Sequence, residues 1–189
     1  MGKVIKFREK GTEVPFSEED FERLDLERLL ARSNRLSKKR FNELEDLKIL
    51  IMKSGKDASA FFEGLLSKEI VRRKNISSVQ FLCGNYISHL LTSFLDSYPE
   101  LWVAFDYEYK YHETGNPNYL RKGGDFCFLL CSIFEGRNFW RLTSPEFYSE
   151  KGKSLYYQSY LKEQKEISFH MSSNFEEMVK ITKYAVSRS

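Results

Sequence analysis

A chain of 189 residues, 41% hydrophobic and 15% aromatic with a net charge of +3, has enough apolar material for one self-sufficient core. So small a charge argues against the strongly basic face that grips polyanions, and 30% charged residues with only four prolines exclude low complexity. Three cysteines, Cys83, Cys127 and Cys131, make no disulfide framework. That usage predicts a reducing, cytoplasmic setting. The opening "MGKVIKFREK" lacks the apolar core of a secretory signal, and no stretch approaches 18 apolar residues, so no membrane partner is expected.

Helix signals dominate the first half. Ser17 followed by Glu18, Glu19 and Asp20 predicts a helix over about 17–32, the acids complementing the dipole. Ser37 starts a second helix that runs to Lys53 and stops at Ser54–Gly55. Asp57 caps a third, in which Phe61, Phe62, Leu65, Leu66 and Ile70 repeat at the 3.6-residue period. Ser77 and Gln80 form a capping box for the fourth. Its broad apolar arc, from Leu82 to Leu95, predicts a central helix. Asn85, His89, Ser93 and Asp96 form its polar stripe.

The period then changes. In "FDYEYKYH", residues 105–112, Phe105, Tyr107, Tyr109 and Tyr111 alternate with Asp106, Glu108, Lys110 and His112, which predicts a half-buried strand over 101–112. An 11-residue loop, 113–123, leads to "DFCFLLCSIFE" at 125–135, apolar on both faces and so an interior strand. "FWRL" is a short third strand, 139–142. Ser144 and Pro145 are an N-cap and N1 pair for a helix to about Lys162, with Gly152 a point of interruption. "EISFHM" reads as a fourth strand, and Ser173 with Glu176 begins a last helix. On that helix Phe175, Met178, Val179, Thr182 and Val186 share a face.

The expected fold is therefore a single α+β domain over 1–189. About four N-terminal helices (17–97) pack on a mainly antiparallel sheet of about four strands (101–187), in the order αααα-βββ-α-β-α. As a string, the αβββαβ order of 79–171 is similar to the core of restriction-like nucleases. That resemblance implies an acid in the second strand, for which Asp125 is available, and a Glu-x-Lys in the third. The only Glu-x-Lys, Glu108–Lys110, lies in the first. The αβββα portion also resembles double-stranded-RNA-binding domains, with "KGKS" at 151–154 at the basic helix entrance; no lysine run follows.

Three candidate sites follow. The preferred one is a recognition surface built from Tyr119, Arg121 and Lys122 in the long loop with Trp140 and Arg141 on the short strand, residue types favoured where proteins bind partners. The alternative is a metal-dependent phosphodiesterase or nuclease using Asp106, Glu108, Lys110 and Asp125, the strand row supplying oxygen ligands. A third is nucleic-acid binding through the basic clusters 32–40 and 68–74, which lack the interleaved aromatics that stack bases.

No zinc spacing, P-loop, GxGxxG turn or GxSxG elbow occurs, and no cofactor is expected. "KGGD" at 122–125 has glycines without a following helix to hold a phosphate. The sequence thus predicts a non-enzymatic binding or regulatory domain for a protein partner or small ligand, with nucleic acid disfavoured. A long edge strand would also permit homodimerisation.

Overall fold

The computed structural model describes residues 48–74, 76–97, 103–133 and 144–187. All lie within the second of two contact-defined units, 43–189. The expected first helix, the basic cluster 32–40, Trp140, Arg141 and the strand 139–142 lie outside the described residues.

Among the described residues every regular element is a helix, and the expected sheet is not formed. In chain order these are α1, described over 48–54, α2 (Ala58–Val71), α3 (Ser78–Asp96), α4 (Ala104–Thr114), α5 (Asn118–Ser132), α6 (Pro145–Glu163), α7 (Glu166–Ser173) and α8 (Phe175–Ser187). None is long and apolar enough to cross a membrane.

At four boundaries set by local chemistry the sequence reading holds; at Ser173, expected to begin the last helix with Glu176, it does not, because Ser173 is the last residue of α7 and α8 begins at Phe175. Gly55, at φ 67°, ends α1 in the left-handed region that glycine tolerates. The Asp57 carboxylate accepts from the Ala60 N–H at 2.9 Å. Both halves of the Ser77–Gln80 capping box are made. Ser144 Oγ accepts from the Phe147 N–H with Pro145 at N1.

Three expected strands are helices. The first becomes α4, and the physical reason is tertiary. Ala104 and Tyr107 alone are fully buried, three residues apart, while Phe105 and Tyr109 stand 52% and 68% exposed. The strict alternation of 105–112 therefore does not sort inside from outside. Tyr107 packs on the Phe126 ring, and Glu108 reaches across to Lys151 on α6. Asp106 in the first turn and His112 in the last complement the dipole. Packing of this helical face outweighs the β propensity of its tyrosines.

The second becomes α5. It is interior, as its apolar composition requires, but it is a helix enclosed on nearly every side: Leu120, Gly123, Gly124 and all of Phe126–Ser132 are buried. It packs on α4, α6 and α8. The central position expected for α3 belongs to α5, because Leu82 of the α3 arc, and Phe81 beside it, face solvent.

The third, "EISFHM", becomes α7, which buries Ser168 and Met171 at helical spacing. The 11-residue loop shrinks to three residues, 115–117. Gly115 (φ 68°) caps α4, and Asn116 Oδ1 accepts from the Asn118 N–H at 3.0 Å to start α5. "KGGD" accordingly lies inside a helix, and "KGKS" sits in the body of α6 instead of at its entrance. Among the described residues there is no sheet, so the similarities to the nuclease core and to the RNA-binding domains do not hold, and the segment expected as a long edge strand is a helix.

Gly152 does not interrupt α6. A Cβ there would sit 2.6 Å from the Phe175 ring and 2.9 Å from Cys127 Cβ, so the missing side chain is what lets α5, α6 and α8 meet. Gly152→Ala gains about 1 kcal/mol of helix propensity but overpacks three helices at once. A net destabilisation of about 1–3 kcal/mol is expected in urea unfolding; an unchanged or raised midpoint would contradict this account of the contact.

Candidate functional site

A cleft of about 300 Å³ opens between α3 and α5, with α4 at its side. Leu90, Phe94, Phe126 and Leu129 form the apolar wall; Ser93 and Ser97 stand on the α3 rim, and Arg121, Lys122 and Asp125 project from α5. Its volume lies at the small end of the roughly 300–1,000 Å³ typical of ligand sites. An apolar wall with a few convergent polar groups is also the composition such sites share.

Asp125 is the centre of the polar part. Its Oδ1 accepts two hydrogen bonds of 2.6 Å, from Tyr86 Oη on α3 and Tyr156 Oη on α6. Gly124 makes the second possible: a Cβ there would lie 2.9–3.0 Å from the Tyr156 ring, so only a glycine lets the ring lie flat against α5.

Burial pushes the Asp125 carboxyl above its ordinary value, opposed by the two tyrosine hydroxyls and by the charges of Arg121 and Lys122. Burial and the neighbouring carboxylate hold both tyrosines well above theirs, so each remains a donor.

Arg121 stands one turn before Asp125. Its Nη2 donates to Asn118 Oδ1 at 2.6 Å, and it makes no direct ion pair with Asp125. Lys122 places Nζ 5.6 Å from the centroid of the Tyr119 ring. Of the expected recognition surface, the structure thus brings together Tyr119, Arg121 and Lys122, on a helix instead of a loop.

The strand row behaves differently. Residues two apart on a helix point some 200° from one another, so Asp106 and Glu108 share no face. Glu108 pairs with Lys151, Lys110 pairs with Glu113 at 3.2 Å, and Asp125 belongs to the cleft. Among the described residues no three His, Cys, Asp or Glu side chains gather as a metal would require.

In the cluster 68–74, Arg72 and Arg73 are drawn to Glu69, and Arg73 also to Glu177 at 2.9 Å and to the Tyr184 ring. On α3 the polar stripe Asn85, His89, Ser93 and Asp96 is exposed.

The three cysteines are free and buried. In α5, Cys127 and Cys131 are one turn apart, roughly 6 Å of rise, in place of the wide spacing a strand would impose. Burial raises the Cys83 thiol to about 11 and raises Cys127 too, which keeps both protonated and unreactive.

Sequence reasoning missed Tyr86, Tyr156 and the apolar cleft wall. The one available signal was an ionisable residue, Asp125, immediately before a run of apolar residues. Comparisons with protein-family models, curated proteins and solved structures find no match.

Because the folded-state pKa of Asp125 is raised, its ionised form is penalised in the fold, and its contribution to stability is lost as pH rises above about 3.8. Asp125→Asn removes that titration. The melting temperature of the variant minus that of the wild type should therefore climb as pH is raised from below 3.8 to neutrality. A difference that stays flat or falls would show that the carboxyl is not disfavoured by burial.

Proposed function

We propose that this chain is a non-enzymatic helical binding domain for a small amphipathic ligand, held in the α3–α5 cleft with its anionic group toward Arg121. A single observation carries the reading: Arg121, Lys122 and Asp125 converge on one apolar-walled hollow of about 300 Å³. The apolar wall removes ligand hydrocarbon from water at roughly 25 cal/mol per Å², and the α5 charges orient the polar end. Arg121 is suited to an anion because its planar guanidinium offers paired donors, and Asn118 occupies only part of that set.

The preference for a small ligand over a protein partner rests on concavity. Of the groups expected to recognise a partner, Arg121 and Lys122 line a hollow and Tyr119 stands beside Lys122. The three buried free thiols support a reducing, cytoplasmic setting. The non-enzymatic reading draws on what Asp125 touches: two tyrosines held protonated, an arrangement that fixes a carboxylate without giving it a nucleophile to activate.

Ser93 is exposed on the cleft rim, so Ser93→Trp should close the cleft without touching the core. Isotope-labelled protein titrated with a panel of small apolar carboxylates, with and without an amino group, should show amide shifts concentrated at 86–97 and 118–129. The same shifts should vanish in Ser93→Trp while its melting temperature stays within a few degrees. No member of the panel shifting those residues, or shifts indifferent to Ser93→Trp, would overturn the proposal.

A further inference from the structure

Arg121 and Asp125 present opposite charges one helical turn apart on the same wall of the cleft. At i, i+4 their Cβ atoms lie roughly 5–6 Å apart, close enough for a direct ion pair in ordinary helices. They do not make one. Asn118 Oδ1 holds the guanidinium toward the start of α5, and the two tyrosine hydroxyls converge on Asp125 Oδ1 alone. Among the described residues no hydrogen bond is made to the second oxygen, Oδ2, although Asp125 lines the cleft. A carboxylate oxygen without a partner, beside a guanidinium held back from it, leaves a gap between two unlike charges.

Resting on the reading of the cleft as a ligand site, we infer that the ligand is a free α-amino acid with an apolar side chain. Its carboxylate is held by Arg121 and its ammonium by Asp125 Oδ2. An α-amino acid carries the two charges on one carbon, so a single molecule bridges groups one turn apart. A simple carboxylate would draw on Arg121 and leave Asp125 Oδ2 without a cation in direct contact, and a simple amine would leave the free donors of the guanidinium unused.

Its side chain faces Leu90, Phe94, Phe126 and Leu129, which suits leucine- or phenylalanine-sized groups and gives a charged side chain nothing to pair with there. The ammonium also supplies the positive neighbour that a half-buried carboxylate needs to stay ionised. Tyr86 and Tyr156 are positioning residues: they fix the plane of the carboxylate from two helices, so that Oδ2 is presented in one direction.

The test is isothermal titration of the full chain with L-phenylalanine, N-acetyl-L-phenylalanine, which lacks the ammonium, and L-phenylalanine amide, which lacks the carboxylate. L-Leucine serves as a second apolar side chain. The unmodified amino acids should bind at least tenfold more tightly than either derivative.

Arg121→Gln should abolish the preference for L-phenylalanine over its amide while keeping the preference over the N-acetyl derivative; Asp125→Asn should do the reverse. Should Asp125→Asn unfold, Arg121→Gln, at a half-buried position, still decides the matter. If N-acetyl-L-phenylalanine binds the wild type as well as L-phenylalanine does, in a manner blocked by Ser93→Trp, the amino-acid inference is wrong and the cleft reading stands. If no probe binds in a manner blocked by Ser93→Trp, both fall.

Discussion

The close approach of α5 and α6 is the constraint on which the rest of this structure depends. It is made by subtraction. On α5, Gly124 gives up a side chain so that the Tyr156 ring of α6 can lie against the backbone; on α6, Gly152 does the same for the Phe175 ring of α8. Gly123 completes the set beneath Tyr107 and Leu155. Each glycine in a helix interior costs about 1 kcal/mol of propensity. Burying one large aromatic offsets that with about 1.5–3 kcal/mol, and Tyr156 and Phe175 are both fully enclosed. Three helices are thereby registered against one another by ring-on-glycine contacts, and a shift of any one moves the other two.

The electrostatics of the cleft follow from the same geometry. With its ring flat on Gly124, Tyr156 carries its hydroxyl to Asp125, and Tyr86 arrives at the same oxygen from α3. The two residues stand 31 and 39 positions from Asp125 in the chain, so this network is a product of the fold and has no local signature. That is why spacing does not reveal the polar centre, whereas Tyr119, Arg121 and Lys122, which need only be near one another in sequence, stand together at the start of α5. Their setting was wrong: eleven residues read as a loop were the end of one helix, a three-residue turn and the start of another.

What was legible divides along a physical line. Capping is local hydrogen-bond chemistry, and Asp57, Ser77 with Gln80, and Ser144 with Pro145 start their helices where the sequence says they should. Period is legible only when one face meets solvent. In α8 it does, and Phe175, Met178, Val179 and Thr182 are buried together as expected. In α5 both faces are apolar, and a short run of that kind has the same composition whether it pleats or coils. The α4 segment is harder. Its eight alternating residues satisfy the strand template in full, yet the decisive information lay just outside them, in Gly115 and Pro117, a helix stop and a helix start two residues apart. Read together with the adjacent glycines at 123–124, they favour a helical hairpin over a β-hairpin.

One feature of the cleft resists a purely structural explanation. A half-buried carboxylate with an arginine one turn away has an obvious stabilising solution, the ion pair, and α5 does not adopt it. Arg121 is tied to Asn118, and Asp125 is satisfied by two neutral donors that leave its charge uncompensated at short range. Burial accordingly disfavours its ionised form. A helix selected for stability alone would close the pair, or replace Asp125 with a residue that needs no partner. Unlike charges kept apart at the mouth of an apolar hollow are a local cost that stability does not explain, and such costs concentrate where a protein must meet something else.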